Sequence, residues 1–211
     1  MKKIMFDDRL GLTQAVLEGR KTMTRRVVPP RIINKIPSFQ QEYYEASLDC
    51  ISEKEAVAQM PLYEPGEVVS VAQSYHTILE EMFDEDKGYQ NPIYNPFRSQ
   101  KPNLEEEFGW RNKMYVRADL MPHRIRITGI KVERLQDISD EDCMKEGIRK
   151  LESSDIPTHF TFDGWMFNNR VFRCADTPRE AFSALFNKLS GKGAWDKNPW
   201  VFAYEFELYR F

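Results

Sequence analysis

The sequence is short of several things, and each shortage removes a class of function. No apolar run approaches the ~18 residues that a membrane span requires, and the first residues hold no apolar core of a signal peptide. Cysteine is scarce: Cys50, Cys143 and Cys174 are odd in number, far apart and without a CxxC pair. They read as reduced thiols rather than a disulfide framework. Histidine is scarcer still in function, because His76, His123 and His159 fall into no H-x₃-H or HExxH spacing. A structural metal is therefore not expected, nor is a cofactor. Together these absences point to a cytoplasmic protein with no membrane partner.

A strong excess of one charge is also missing. The net charge is -3 over 211 residues, with 30% charged and 41% apolar side chains and a mean hydropathy of -0.60. That composition fits one globular domain, 1–211, with a core thin for its length and 13% aromatic residues to fill it. The distribution of charge says more than the total. Residues 1–36 carry nine Lys/Arg against three Asp/Glu, residues 37–113 six against fifteen, and residues 114–211 fifteen of each. A local basic patch can bind phosphate despite a negative total.

What is present centres on Gly19-Arg20-Lys21-Thr22-Met23-Thr24-Arg25-Arg26, four cations and two hydroxyls in eight residues. Residues 9–18 read as a helix through Leu12, Ala15 and Val16, and Gly19 suits the left-handed position after its last turn. A strand follows, in which Thr22, Thr24 and Arg26 alternate with Met23, Arg25 and Val27. This stretch is an anion site, a nucleophile with a base, or a solvated basic edge strand.

Further along, Glu64-Pro65-Gly66-Glu67 has the residues of a type II turn. Val68 to Tyr75 then reads as a strand placing Gln73 and Tyr75 in line with Val69 and Val71. A glutamine in phase with core valines needs partners, either strand backbone or a ligand. Tyr115-Val116-Arg117 reads as a return to the sheet. From His123 to Leu135 a long strand alternates Arg124 and Arg126 with Ile125 and Ile127. Its apolar phase flips at Gly129, which marks a β-bulge. Ser139 with Asp142 opens a short helix ending at Gly147. Thr177-Pro178-Arg179-Glu180 opens a longer one with an apolar stripe of Ala181, Phe182, Leu185, Phe186 and Leu189. A final strand runs from Val201 to Leu208. Segments 30–65, 78–112 and 150–176 read as insertions, the first with a short helix over Glu53-Lys54-Glu55-Ala56-Val57 and the middle one as a long loop. The pattern predicts an α+β fold on a small, curved β-barrel with flanking helices and long insertions.

Several of these pieces resemble one family. The element Gly19-Arg20-Lys21-x-x-Thr24-Arg25-Arg26, then Tyr63-x-Pro65-Gly66-Glu67-Val68, look like the ASCH domain, a PUA-like β-barrel. Met121-Pro122, Arg134-Leu135-Gln136-Asp137-Ile138-Ser139, Glu146-Gly147 and Trp195-Asp196-x-Asn198-Pro199-Trp200-Val201 resemble ASCH-containing proteins of phages and prophages. The resemblance implies a PUA-like fold and recognition of RNA or a modified nucleoside beside Gly19–Arg26. It also implies an alternative, because some small ASCH proteins are amidohydrolases that deacetylate N4-acetylcytidine. Their Lys and Thr match Lys21 and Thr24. Their strand commonly reads Val-Arg-Glu-Thr-Trp, and Val71-Ala72-Gln73-Ser74-Tyr75 stands in its place, so Gln73 falls where the family has its Glu. Glutamine cannot exchange a proton, which leaves no general acid or base at that position.

Chemically, Thr24 needs a base, and Lys21 can be one when Arg20, Arg25 and Arg26 depress its pKa. The same cations can hold a phosphate or an oxyanion. Arg124 and Arg126 extend the basic surface, while Tyr75, Trp195 and Trp200 are candidates for stacking on a base. The expectation is a domain that binds RNA or a modified nucleotide through these residues. The amidohydrolase, with Thr24 as nucleophile and Lys21 as base, is the alternative. A phage accessory protein acting through the acidic insertions is a third reading.

Overall fold

The computed structural model describes residues 1–47, 49–83, 110–153, 156–167, 170–171 and 173–209. The chain opens with β1 (Lys3–Ile4), a 3₁₀ turn (Asp8–Leu10) and helix α1 (Leu12–Leu17). Strand β2 (Met23–Val27) leads into three helices, α2 (Pro30–Ile33), α3 (Ile36–Ser47) and α4 (Glu53–Ala58). Strand β3 (Val68–Val71) runs into helix α5 (Tyr75–Phe83). The long strand β4 (Arg124–Arg134) and helix α6 (Asp140–Lys145) follow. Two small hairpins come next, β5 (Arg149–Ser153) with β6 (Ile156–Thr161), and β7 (Met166–Phe167) with β8 (Arg170–Val171). Helix α7 (Pro178–Ser190) and strand β9 (Trp200–Tyr209) complete the order.

The main sheet has the order β1-β3-β4-β9-β2, antiparallel except for β1 beside β3. The fold is α+β as expected, but the sheet is open rather than a closed barrel. Its outer strands β1 and β2 exchange no backbone pairing among the described residues. With two residues, β1 is too short to seal the sheet. A side chain reaches across instead, since Arg26 Nη2 donates to Met5 O at 2.6 Å.

The strand signals in the second half hold closely. The ladder between β4 and β9 shifts register between Ile127 and Gly129, where the apolar phase flips. Val201, Phe202, Ala203 and Tyr204 are buried on both faces, as befits a strand flanked by β4 and β2, while Glu205 and Glu207 reach solvent. The turn before β3 has Gly66 at φ 86°, and Glu67 N donates to Glu64 O at 3.0 Å. Ser139 and Thr177 cap α6 and α7 by accepting from Asp142 N and Glu180 N.

Four expectations are corrected. The strand from Val68 stops at Val71, because Ser74 caps α5: its hydroxyl accepts from Thr77 N at 3.1 Å, and Ile78 N donates to Ser74 O. Gln73 and Tyr75 therefore leave the sheet. Tyr115-Val116-Arg117 forms no strand and leads into a 3₁₀ turn over Ala118–Leu120. Within 30–65 the short helix expected over 53–57 is α4, capped by a full Ser52–Glu55 box, but the part read as a plain connection is helical too, as α2 and α3. Part of 78–112 is helix α5; the long loop expected there falls at residues 84–109, outside the described residues.

One core joins the sheet, α1, α4 and α7 through Ile4, Val57, Val69, Ile125, Phe182 and Phe202. A smaller cluster of Tyr75, Ile78, Met82, Val116, Leu120 and Met121 anchors α5. Each such side chain, once fully buried, contributes roughly 1.5–3 kcal/mol of transfer free energy.

Candidate active site

Lys21 is held at the joint between helix and strand by its backbone and its side chain. Gly19 has φ 74°, which turns the chain out of α1, and Lys21 N donates to Ala15 O at 2.9 Å. Next to it, Thr22 N donates to Lys145 O at the end of α6. This brings Glu146, the residue after α6, against the lysine. Lys21 Nζ donates to Glu146 Oε2 at 2.6 Å and to Glu146 O at 2.8 Å, and both residues are buried. Gly147, at φ 102°, allows the turn that presents both oxygens.

Arg25 extends the same cluster. Its side chain has no exposed surface and meets three carboxylates: Glu133 on β4 at 2.6 Å, Asp142 on α6 at 2.8 Å and Glu146 at 3.2 Å. Lys131 closes the far side on Asp142 at 2.7 Å and Glu133 at 3.2 Å. Lys145 also lies 3.8 Å from Asp142, so four cations face three anions. Such a buried cluster persists because each charge is paired and hydrogen-bonded.

Burial is the main reason the Lys21 pKa lies below its ordinary value. Glu146 pulls in the opposite direction, and Arg26 and Arg25 lower it further. For Asp142, burial alone would raise the pKa, but hydrogen bonds from Lys131 and Arg25 outweigh it and leave it low. Arg25 is raised: burial lowers it, and Glu146 and Glu133 more than compensate.

A cavity of about 250 Å³ lies in the gap between the two outer strands of the sheet. Lys21, Thr24, Arg25, Arg26 and Glu146 give it a polar wall, with Met5, Phe6 and Asp7 on the β1 side. Leu12 and the stripe Phe182, Phe186 and Leu189 of α7 give it an apolar wall. Three of its lining residues, Met5, Val27 and Leu189, are exposed hydrophobics. Thr24 is 5% exposed, and its hydroxyl makes no hydrogen bond to the protein among the described residues. Phe6 carries the Lys21 and Arg26 cations over its ring at 5.9 and 5.5 Å.

The site residues expected from sequence separate into groups. Lys21, Thr24, Arg25 and Arg26 meet at this cavity. Arg20 turns away to Glu18 at 2.6 Å and Asp163 at 3.1 Å. Gln73 does not line the cavity; it is buried beside α5, where Nε2 donates to Glu81 at 3.0 Å. Tyr75 is 1% exposed, and its hydroxyl accepts from Arg117 N, so its ring offers no open face for stacking. Arg124 and Arg126 lie on β4, the latter over the Tyr209 ring at 4.6 Å. Trp195 packs edge-on to Phe182, with Arg179 over its ring. Trp200 lines a different cavity, with Arg134 over its ring at 4.2 Å.

Glu146, Asp142 and Glu133 are the site residues that the sequence reading passed over. Asp142 and Glu146 stand four apart, the spacing that puts two carboxylates on one helical face. Beside a basic strand, that was the signal available. Among the described residues no group of three or more His, Cys, Asp or Glu is placed to hold a metal ion, and no helix is long and apolar enough to cross a membrane. Compared with protein-family models, curated proteins and solved structures, the chain finds no match.

Proposed function

We propose that the protein is an amidohydrolase acting on a small neutral amide, with N4-acylated cytidine as the substrate class that the ASCH resemblance suggests. The observation that carries this reading is the Thr24 hydroxyl, without a protein hydrogen bond among the described residues, in the same cavity as the buried Lys21–Glu146 pair. Glu146 supplies to this cavity the carboxylate that Gln73 lacks. The charge balance favours this reading over phosphate or RNA binding at the same place. Arg25 and Lys21 are committed to carboxylates, and Arg26 is partly committed to Met5 O. The apolar wall of α7 suits an acyl group better than a polyanion.

The chemistry follows from these groups. Neutral Lys21 takes the Thr24 proton as Oγ1 attacks the acyl carbonyl carbon, and Arg26 faces the oxyanion that develops. Collapse of the tetrahedral intermediate breaks the C–N bond, and Lys21 returns the proton to the leaving amine. Water then hydrolyses the threonyl ester and releases the carboxylic acid. Glu146 fixes the Nζ position and accepts its hydrogen bond throughout. Thr24→Val tests the reading, since it keeps the shape and removes the nucleophile. It is expected to abolish release of cytidine while leaving substrate affinity within a few-fold. Unchanged turnover would overturn the assignment.

A further inference from the structure

A second cavity, about 490 Å³, lies at the end of the sheet where β4 finishes and β9 begins. It shares no lining residue with the first. Arg134 and Trp200 are register partners across the β4·β9 ladder, which explains the guanidinium lying 4.2 Å from the indole ring. The Arg134 side chain is 42% exposed; one face of its guanidinium lies on Trp200, and Nη1 donates to Asn198 O at 3.5 Å. A flat ring can add to such a stack, because a guanidinium plane attracts aromatic rings.

The polar groups around this stack accept hydrogen bonds. Glu53 Oε2 takes the indole N–H at 3.2 Å and lies 3.8 Å from Arg134, while its other oxygen has no protein partner among the described residues. Gln40 commits its Nε2 to Ile51 O at 2.7 Å, which fixes the amide and leaves Oε1 as an acceptor. Ile33 and Ile36 supply an aliphatic wall, and Ile33 is 37% exposed. Arg134 and Glu53 cancel in charge, so the site does not select a free anion.

We propose that this cavity is a second ligand site, one that takes an amino-substituted heteroaromatic ring with the chemistry of a cytosine or adenine base. The ring stacks on Arg134, and its exocyclic amine donates to the second Glu53 carboxylate oxygen. This assignment stands apart from the hydrolase reading, since it uses none of the residues at the first cavity.

Cytidine and uridine are the probes, because they differ in the group that can donate to Glu53. Titration is followed by the Trp200 indole N–H signal in a ¹⁵N spectrum, assigned by its loss in Trp200→Phe. Cytidine is expected to move that signal saturably and to bind about tenfold more tightly than uridine, the worth of one hydrogen bond to a charged acceptor. Glu53→Gln, at a side chain 61% exposed and safe for the fold, is expected to erase that preference. A Trp200 signal unmoved by cytidine up to about 10 mM, equal binding of uridine, or an undiminished preference in Glu53→Gln would each overturn the proposal.

Discussion

At the level of single residues, the site is built on charges that are buried but paired. Arg25 is the hub of this arrangement, because one guanidinium serves Glu133, Asp142 and Glu146. Removing it in Arg25→Ala leaves those carboxylates with too few cations in a low-dielectric site. The expected loss is on the order of 3–5 kcal/mol, read as a lower urea midpoint. Arg25→Lys should recover little of it, since an ammonium cannot span three acceptors as the planar fork does. Lys21 gives a prediction in pH. Its folded pKa is lowered, so the neutral amine that the proposed mechanism uses as base appears below the ordinary lysine range. The kcat/KM for deacylation is then expected to rise with pH through that lowered value and to level off above it. A profile flat through alkaline pH would remove Lys21 as the base. Cysteine offers an independent check on burial. Cys143 has no exposed surface, and burial pushes its thiol up to about 12, whereas Cys50 and Cys174 are exposed. Iodoacetamide at pH 8.5 should therefore label two thiols rapidly and Cys143 only after unfolding, as counted by mass spectrometry.

At the scale of elements, the positioning of the site depends on how helices end. Gly19 releases Lys21 from α1, and Gly147 turns the chain just after Glu146. A Cβ at residue 147 would meet Leu12, Lys21 and Ala15 at ordinary contact distances of 3.6 to 3.8 Å. The penalty of Gly147→Ala is therefore backbone strain alone, ~1–2 kcal/mol, and it falls on the turn that holds Glu146. Deacylation is expected to drop by more than the stability change alone would cause; activity that tracks the fraction folded would contradict this. The same logic explains what the sequence could show. Caps at Ser139 and Thr177, the Gly66 turn and the phase flip at Gly129 are local signals, and each one held. The end of β3 was also a local matter, but Ser74 with Thr77 lacks the acidic third residue that marks the other two caps in sequence, and it lies in a run that alternates like a strand. Reading through it put Gln73 and Tyr75 in the sheet and hence at the wrong site.

At the scale of the whole molecule, the α+β class was legible because strand and helix periods differ plainly along the chain. Closure was not, because it depends on whether β1 and β2 meet, and no local pattern reports that. The sheet stays open, and the gap becomes the cavity that Lys21, Thr24 and Glu146 share. The carboxylate partner was hidden for a similar reason. Glu146 lies 125 residues from Lys21 in sequence, and only the packing of α6 against the start of β2 brings them together. The central claim is that this long-range pair, with Thr24, forms a hydrolytic site. The direct measurement is release of cytidine from N4-acetylcytidine by the wild-type protein, with Thr24→Val, Glu146→Gln and Gln73→Glu beside it. Turnover by the wild type is expected, with loss in the first two variants and a rate within about threefold of wild type in the third. No turnover by the wild type, or turnover that survives Thr24→Val, would contradict it.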